Sequence, residues 1–181
     1  MATNGIRLIT PSSVAVTGAG SSATINAGGS VTFSTAATLS LNGVFSSTYD
    51  NYMIAMRGVE TTNNNVSIRM RATGTDATGT DYVYQQLFAS STTVSGQRQT
   101  AQSGAWTSYL ATAQRSGNTI YVYGPNLAQP TAGRLVNAAG LSNAAIVDYA
   151  WTHSLSTAYD GFTLFGMTSA TGLIKVYGLV Q

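Results

Sequence analysis

Asn63-Asn64-Asn65-Val66-Ser67-Ile68-Arg69-Met70-Arg71-Ala72-Thr73-Gly74 is the stretch on which the fold turns. Three asparagines make a turn, and then apolar and polar residues alternate without a break. Val66, Ile68, Met70 and Ala72 share one face, and Ser67, Arg69, Arg71 and Thr73 share the other. Successive side chains of a strand point to opposite sides, so this is a half-buried β-strand with a basic outer face. Upstream, Tyr52, Ile54 and Met56 repeat the alternation. Downstream, the Gly/Thr/Asp run 74–81 reads as a loop before a strand through Tyr82–Phe88. Further strands are expected at Trp106–Ala113, Thr119–Tyr123, Arg134–Asn137, Ala145–Thr152, Phe162–Met167 and Leu173–Leu179, most of them bounded by Gly or Asn. The Ser/Thr/Gln/Gly-rich residues 89–104 read as a long loop.

No segment carries convincing helical periodicity. Many short strands with turn chemistry between them imply a sandwich or barrel. The expectation is an all-β fold: a single jelly-roll-like antiparallel β-sandwich over 46–181, with residues 1–45 as an extended N-terminal arm or edge strands. The N-terminal part differs in kind. No charged side chain lies between Arg7 and Asp50, and the alternations Val14/Val16, Val31/Phe33 and Leu39/Leu41 are short and light. An arm ordered by a neighbouring subunit and the first strands of the same sandwich both remain open.

Composition narrows function. Charged residues are 8% of 181, with one Glu (Glu60) and one Lys (Lys175), where about 25% is usual for soluble domains. A hydrophobic share of 44% excludes a disordered chain. A net charge of +2 is too small for a nucleic-acid footprint. No run approaches the roughly 20 apolar residues of a membrane span, and the start Met1-Ala2-Thr3-Asn4-Gly5 has no secretory character. Without cysteine there is no thiolate metal site.

Catalytic motifs fail on their own mechanics. Gly18-Ala19-Gly20-Ser21-Ser22-Ala23 after Val14-Ala15-Val16-Thr17 matches the dinucleotide-binding pattern. That pattern needs a helix to begin there and an acidic residue about 20 positions on. The following Thr24–Ser30 cannot make that helix, and no acid precedes Asp50. His153 is the only histidine; with no nucleophile elbow in the chain, and with strand parity setting Asp148 on the opposite face, a hydrolytic triad is disfavoured. Asp76 and Asp81 are turn residues that cap their own backbone. A calcium site in their loop is the sharper alternative, though two aspartates are few for six to eight oxygen ligands. Glu60 alone cannot make the carboxylate pair of a glycosidase. The chain is therefore expected to be no enzyme and to need no cofactor.

Aromatic and basic residues remain. Tyr121 and Tyr123 share a face, as do Tyr149 and Trp151; each pair fits a second core face or a ligand platform. Arg69 and Arg71 form a basic strip suited to a solvated or intersubunit face. Ile6, Arg7, Leu8 and Ile9 form an apolar cluster with one charge, which would be a sticky patch unless docked on a partner. These six residues are the candidate partner contacts.

Three segments are similar to β-sandwich virion surface proteins of tailed bacteriophages. They are Val44-Phe45-Ser46-Ser47-Thr48-Tyr49-Asp50-Asn51-Tyr52-Met53-Ile54, the Ile68–Gln85 stretch with its Gly-Thr-Asp turns, and Ile174-Lys175-Val176-Tyr177-Gly178-Leu179. The resemblance implies a non-enzymatic virion protein made in the host cytoplasm, either a capsid decoration or cement protein or a tail fibre tip. It implies a homo-oligomer, a trimer in the decoration case, with the major capsid protein or a host glycan as further partner. It brings no catalytic residue with it.

Overall fold

A computed structural model describes residues 5–112, 114–142 and 144–180. Met1–Asn4, the start of the expected N-terminal segment, and Ala113, the expected end of the strand from Trp106, lie outside the described residues. Within them the chain is all-β, with sixteen strands in two antiparallel sheets packed around one core. Edge to edge, the larger sheet runs β10 (Thr93–Gln102), β9 (Tyr82–Ser90), β14 (Ala145–His153), β13 (Thr131–Ala139), β12 (Ser116–Tyr123), β6 (Asn51–Val59), β16 (Ala170–Leu179), β4 (Val31–Ala36) and β3 (Ser22–Ile25). The tenth strand, β1 (Ile6–Ile9), pairs Val176–Leu179, along the same side of β16 that β4 covers from Ala170 to Ile174. The smaller sheet runs β11 (Ala105–Leu110), β7 (Asn64–Ala72), β15 (Gly161–Phe165), β5 (Thr38–Asn42) and β2 (Ser13–Thr17), with the two-residue β8 (Thr75–Asp76) against β7.

Alternation does what the sequence led one to expect. Tyr52, Ile54 and Met56 of β6 and Val66, Ile68 and Met70 of β7 point into the space between the sheets and are buried. Tyr149 and Trp151 join them from β14. The indole of Trp151 lies across Gly133 on the neighbouring strand, where a Cβ would sit 2.3 Å from ring atoms; only a glycine leaves that space.

One expectation changes. Residues 89–104 are not a long loop: they hold the end of β9 and the whole of β10, joined at the Ser91-Thr92 turn into a hairpin. The strand escaped notice because β10 is an edge strand exposed along nearly its whole length, so burial imposes no apolar alternation on it. Residues 6–42 contribute five strands, shared between the two sheets of the same chain. Their side chains are light because β2 and β3 lie at sheet edges and are only half covered.

Candidate functional site

The chemistry-bearing residues are held by the fold. His153 ends β14 fully buried, with its ring stacked on Tyr82 at 4.1 Å and Nε2 2.5 Å from the Tyr159 hydroxyl. Burial pushes its pKa below the usual 6.5, against a smaller upward pull from Asp81. Asp148 lies on the other face of β14, forked to Arg134 at 2.6 Å. His153 and Asp148, which a triad would need side by side, are therefore on opposite sides of the sheet. Glu60, 3% exposed, closes a turn: its carboxylate accepts backbone N–H groups from Thr61 (3.0 Å), Thr168 (3.1 Å) and Ser169 (2.5 Å).

The dinucleotide-like motif is a reversal between strands. β2 ends at Thr17, Ser21 N–H donates to the Gly18 carbonyl at 3.2 Å, and β3 starts at Ser22. Gly18 and Gly20 have φ of 136° and 68°, which explains both glycines without a phosphate.

Arg69 and Arg71 do lie on the outer face of β7, but each is engaged within the chain. Arg69 donates to the Ser103 carbonyl at 2.7 Å and stacks 3.9 Å from the Phe165 ring centroid. A two-residue hairpin at Thr73-Gly74, with φ of 49° and 80°, folds Asp76 back opposite Arg71. Arg71 pairs with Asp76 and the Gly74 carbonyl, and donates to Asn42 (3.0 Å), Ser40 (3.3 Å) and Thr163 (2.8 Å). Asp76 also accepts from Thr163 at 2.7 Å. Asp81 is not part of this cluster; its carbonyl accepts from Ser154 at 3.1 Å. Among the described residues no group of three His, Cys, Asp or Glu is placed to hold a metal ion.

What stays open is the outer face of the larger sheet. Strand register sets its residues in rows. One row carries Val94, Ala89, Ile146, Ala138, Gly117, Arg57 and Leu173; the next carries Leu87, Asp148, Val136, Thr119, Ala55 and Lys175. A third runs through Ala150, Arg134, Tyr121, Met53 and Tyr177 to Leu8. Several large apolar members are strongly exposed: Val94 68%, Ile146 64%, Leu87 54% and Val136 51%. Tyr121 and Tyr123 stack on one another here, 6.5 Å apart, so this pair belongs to the outer face and not to the core. The cluster 6–9 is divided by its own pairing. Ile6 and Leu8, 54% and 40% exposed, face outward beside Leu179 and Tyr177, whereas Ile9 packs toward the core and Arg7 stands opposite Gly178.

This surface was missed because its members are scattered over eight strands and hidden among alternating residues; Leu87, Val94, Val136 and Ile146 each look like one more core position. The signal lay in strands such as Ala145-Ile146-Val147, where both parities are apolar. No family model matches the chain, and no curated protein matches it.

Proposed function

We propose that the chain is a non-enzymatic structural protein of a virion, a capsid decoration or cement subunit that works by burying the outer face of its larger sheet against other proteins of the particle. The observation that carries this is the contrast between an open apolar face and enclosed chemistry: His153 and Glu60 are sealed in the fold, while five large apolar side chains more than half exposed stand on one sheet face. A patch of that kind marks a contact surface. The sparse charge of the chain keeps the desolvation cost of such a contact low. The choice of particle, the jelly-roll-like classification of the sandwich and threefold assembly rest on the resemblance of three segments to tailed-phage surface proteins. In this reading residues 1–45 serve as an arm only in part, with Ile6 and Leu8 extending the contact surface.

A second reading, a tail-fibre tip that binds a host glycan, draws on one feature, the stacked and accessible Tyr121/Tyr123 pair. Labelling the protein on purified virions separates the two. A decoration subunit occurs in tens to hundreds of copies over the head and rebinds emptied capsids, and a tip occurs in few copies at the tail and binds host cells. Absence from virions, or a hydrolytic activity lost by 10²-fold or more in His153→Ala, overturns both.

A further inference from the structure

The outer face of the larger sheet is not uniformly apolar. At its middle lies a groove of about 610 Å³, floored by Ala55, Gly117 and Ala138 and walled by Val136, Leu173 and Tyr177. Two cations rim it. Arg57 is opposite Leu173 and Lys175 opposite Ala55, so they are diagonal neighbours on one face, about 7 to 8 Å apart along the sheet. Among the described residues neither belongs to an ion pair. Lys175 is the only lysine of the chain. Two like charges set side by side over an apolar floor are an incomplete arrangement, and one carboxylate placed between them completes it.

Resting on the reading of this face as a contact surface, we propose that its occupant is a different protein, one that presents an Asp or Glu side chain ringed by apolar residues to the Arg57/Lys175 groove. Charge excludes the same face of a second copy. The strand positions of the face hold Arg57, Arg98, Arg134 and Lys175 against Asp148 alone, so a two-fold contact would set cations on cations. Extent argues against a small ligand or a saccharide. Smaller depressions lined by Ala89, Ala132 and Ala150 continue across the sheet beyond the groove. Seven strands from β10 to β16 span roughly 30 Å, the width of a standard protein interface. A sugar in the groove would find few hydrogen-bond partners besides the two cations, Thr119 and Tyr177, and would leave Ile146 and Val94 in water.

The test pans a ribosome-displayed library of random peptides against the intact protein, and then measures the affinity of the enriched peptide, made synthetically. Enrichment of Asp or Glu flanked by Leu, Ile, Val or Phe is expected. Affinity should fall at least tenfold in Arg57→Glu/Lys175→Glu, and in the milder Arg57→Gln/Lys175→Gln, and should weaken as salt is raised. An unchanged circular dichroism spectrum shows that both variants fold. Enriched peptides without acids, or equal affinity for the variants, overturn the proposal. So does self-association in sedimentation that the variants abolish, or tighter binding of an acidic oligosaccharide than of any peptide. Ile146→Thr keeps the two levels apart: if it blocks attachment to particles while the charge variants attach normally, the contact face stands and the acidic partner falls.

Discussion

On the outer face of the six-stranded sheet the polar side chains are used up within the chain. Arg71 alone gathers Asp76, Thr163, Ser40, Asn42 and the Gly74 carbonyl, and Ser40 bonds Thr163 at 2.8 Å. On the outer face of the ten-stranded sheet Arg134 pairs with Asp148, and Ile146, Val136 and Leu87 stand in the open. Both faces come from the same alternation and the same charge-poor composition. The difference is that the first is already satisfied by its own chain and has little to offer a partner. The second keeps apolar area that only a partner can cover. Substitutions on the small sheet should therefore be read in folding stability, and substitutions on the large sheet in association.

The sharpest way to break that contrast is Arg71→Met. The side chain is 13% exposed, and its loss strands the 22%-exposed Asp76 with one remaining donor, Thr163. Removing one partner of a mostly buried, hydrogen-bonded pair costs about 3–5 kcal/mol; the residual exposure here lowers the expectation to about 2–3 kcal/mol. Chemical denaturation checks it, and a loss under about 1 kcal/mol would mean the network is decorative. Gly133→Ala probes the layer between the faces. Its methyl would meet the Trp151 ring at 2.3 Å, and overpacking of that kind costs about 1–3 kcal/mol. Near-UV dichroism of the tryptophans should shift with it, while binding to a partner falls only as far as the sheet distorts.

How much of this could be read beforehand depends on what burial writes into sequence. β7 was legible residue by residue, because one face is core and the other is not. Tyr121-Val122-Tyr123 gave the parity but not the side, since a tyrosine serves equally well under a sheet or upon one. β10 left no trace at all: Thr93-Val94-Ser95-Gly96-Gln97 is exposed on both faces, and nothing selects its residues by period. Arg69 and Arg71 were placed on the correct face, yet their lack of free charge comes from Ser103, Phe165 and Asp76, which are brought near by a hairpin and by strands distant in sequence. The contact face was out of reach for the same reason, since only the strand order places Lys175 beside Arg57 and Ile146 beside Ala138.

The pH dependence is a smaller effect and belongs to neither face. Burial holds the folded-state pKa of His153 below its ordinary 6.5, so below that value the unfolded chain binds more protons than the folded one. This contribution is present in full above pH about 6.5 and is lost as the pH falls beneath it. Stability measured from pH 8 to pH 5 should be flat and then decline, and His153→Gln, neutral throughout, should remove the decline. A decline that persists in the variant would assign it to carboxylates. At the alkaline end, burial raises Tyr82 and Tyr149 above the usual 10, so stability should fall once the pH passes about 10.

The smallest expected effect on folding is the most telling for the comparison. Ser40→Ala and Ile146→Thr are both single changes of polarity on an outward-facing strand position. Ser40 is 7% exposed and hydrogen-bonded to Thr163, so its loss should cost about 1 kcal/mol of folding and leave association unchanged. Ile146 is 64% exposed, and threonine keeps the β-branch that suits a strand, so folding should move by less than about 0.5 kcal/mol. Yet the substitution removes apolar area from the contact face and leaves a hydroxyl to be buried there without a partner. Attachment to particles, or affinity for an isolated partner, should therefore weaken by tenfold or more, since about 1.4 kcal/mol is enough for that factor. Measuring denaturation and binding on the same two proteins sets each as the other's control. If Ile146→Thr unfolds the protein, the residue belongs to the fold and not to a partner. If it changes neither quantity, the open face is surface without a task, and the contrast between the two sheets has no functional meaning.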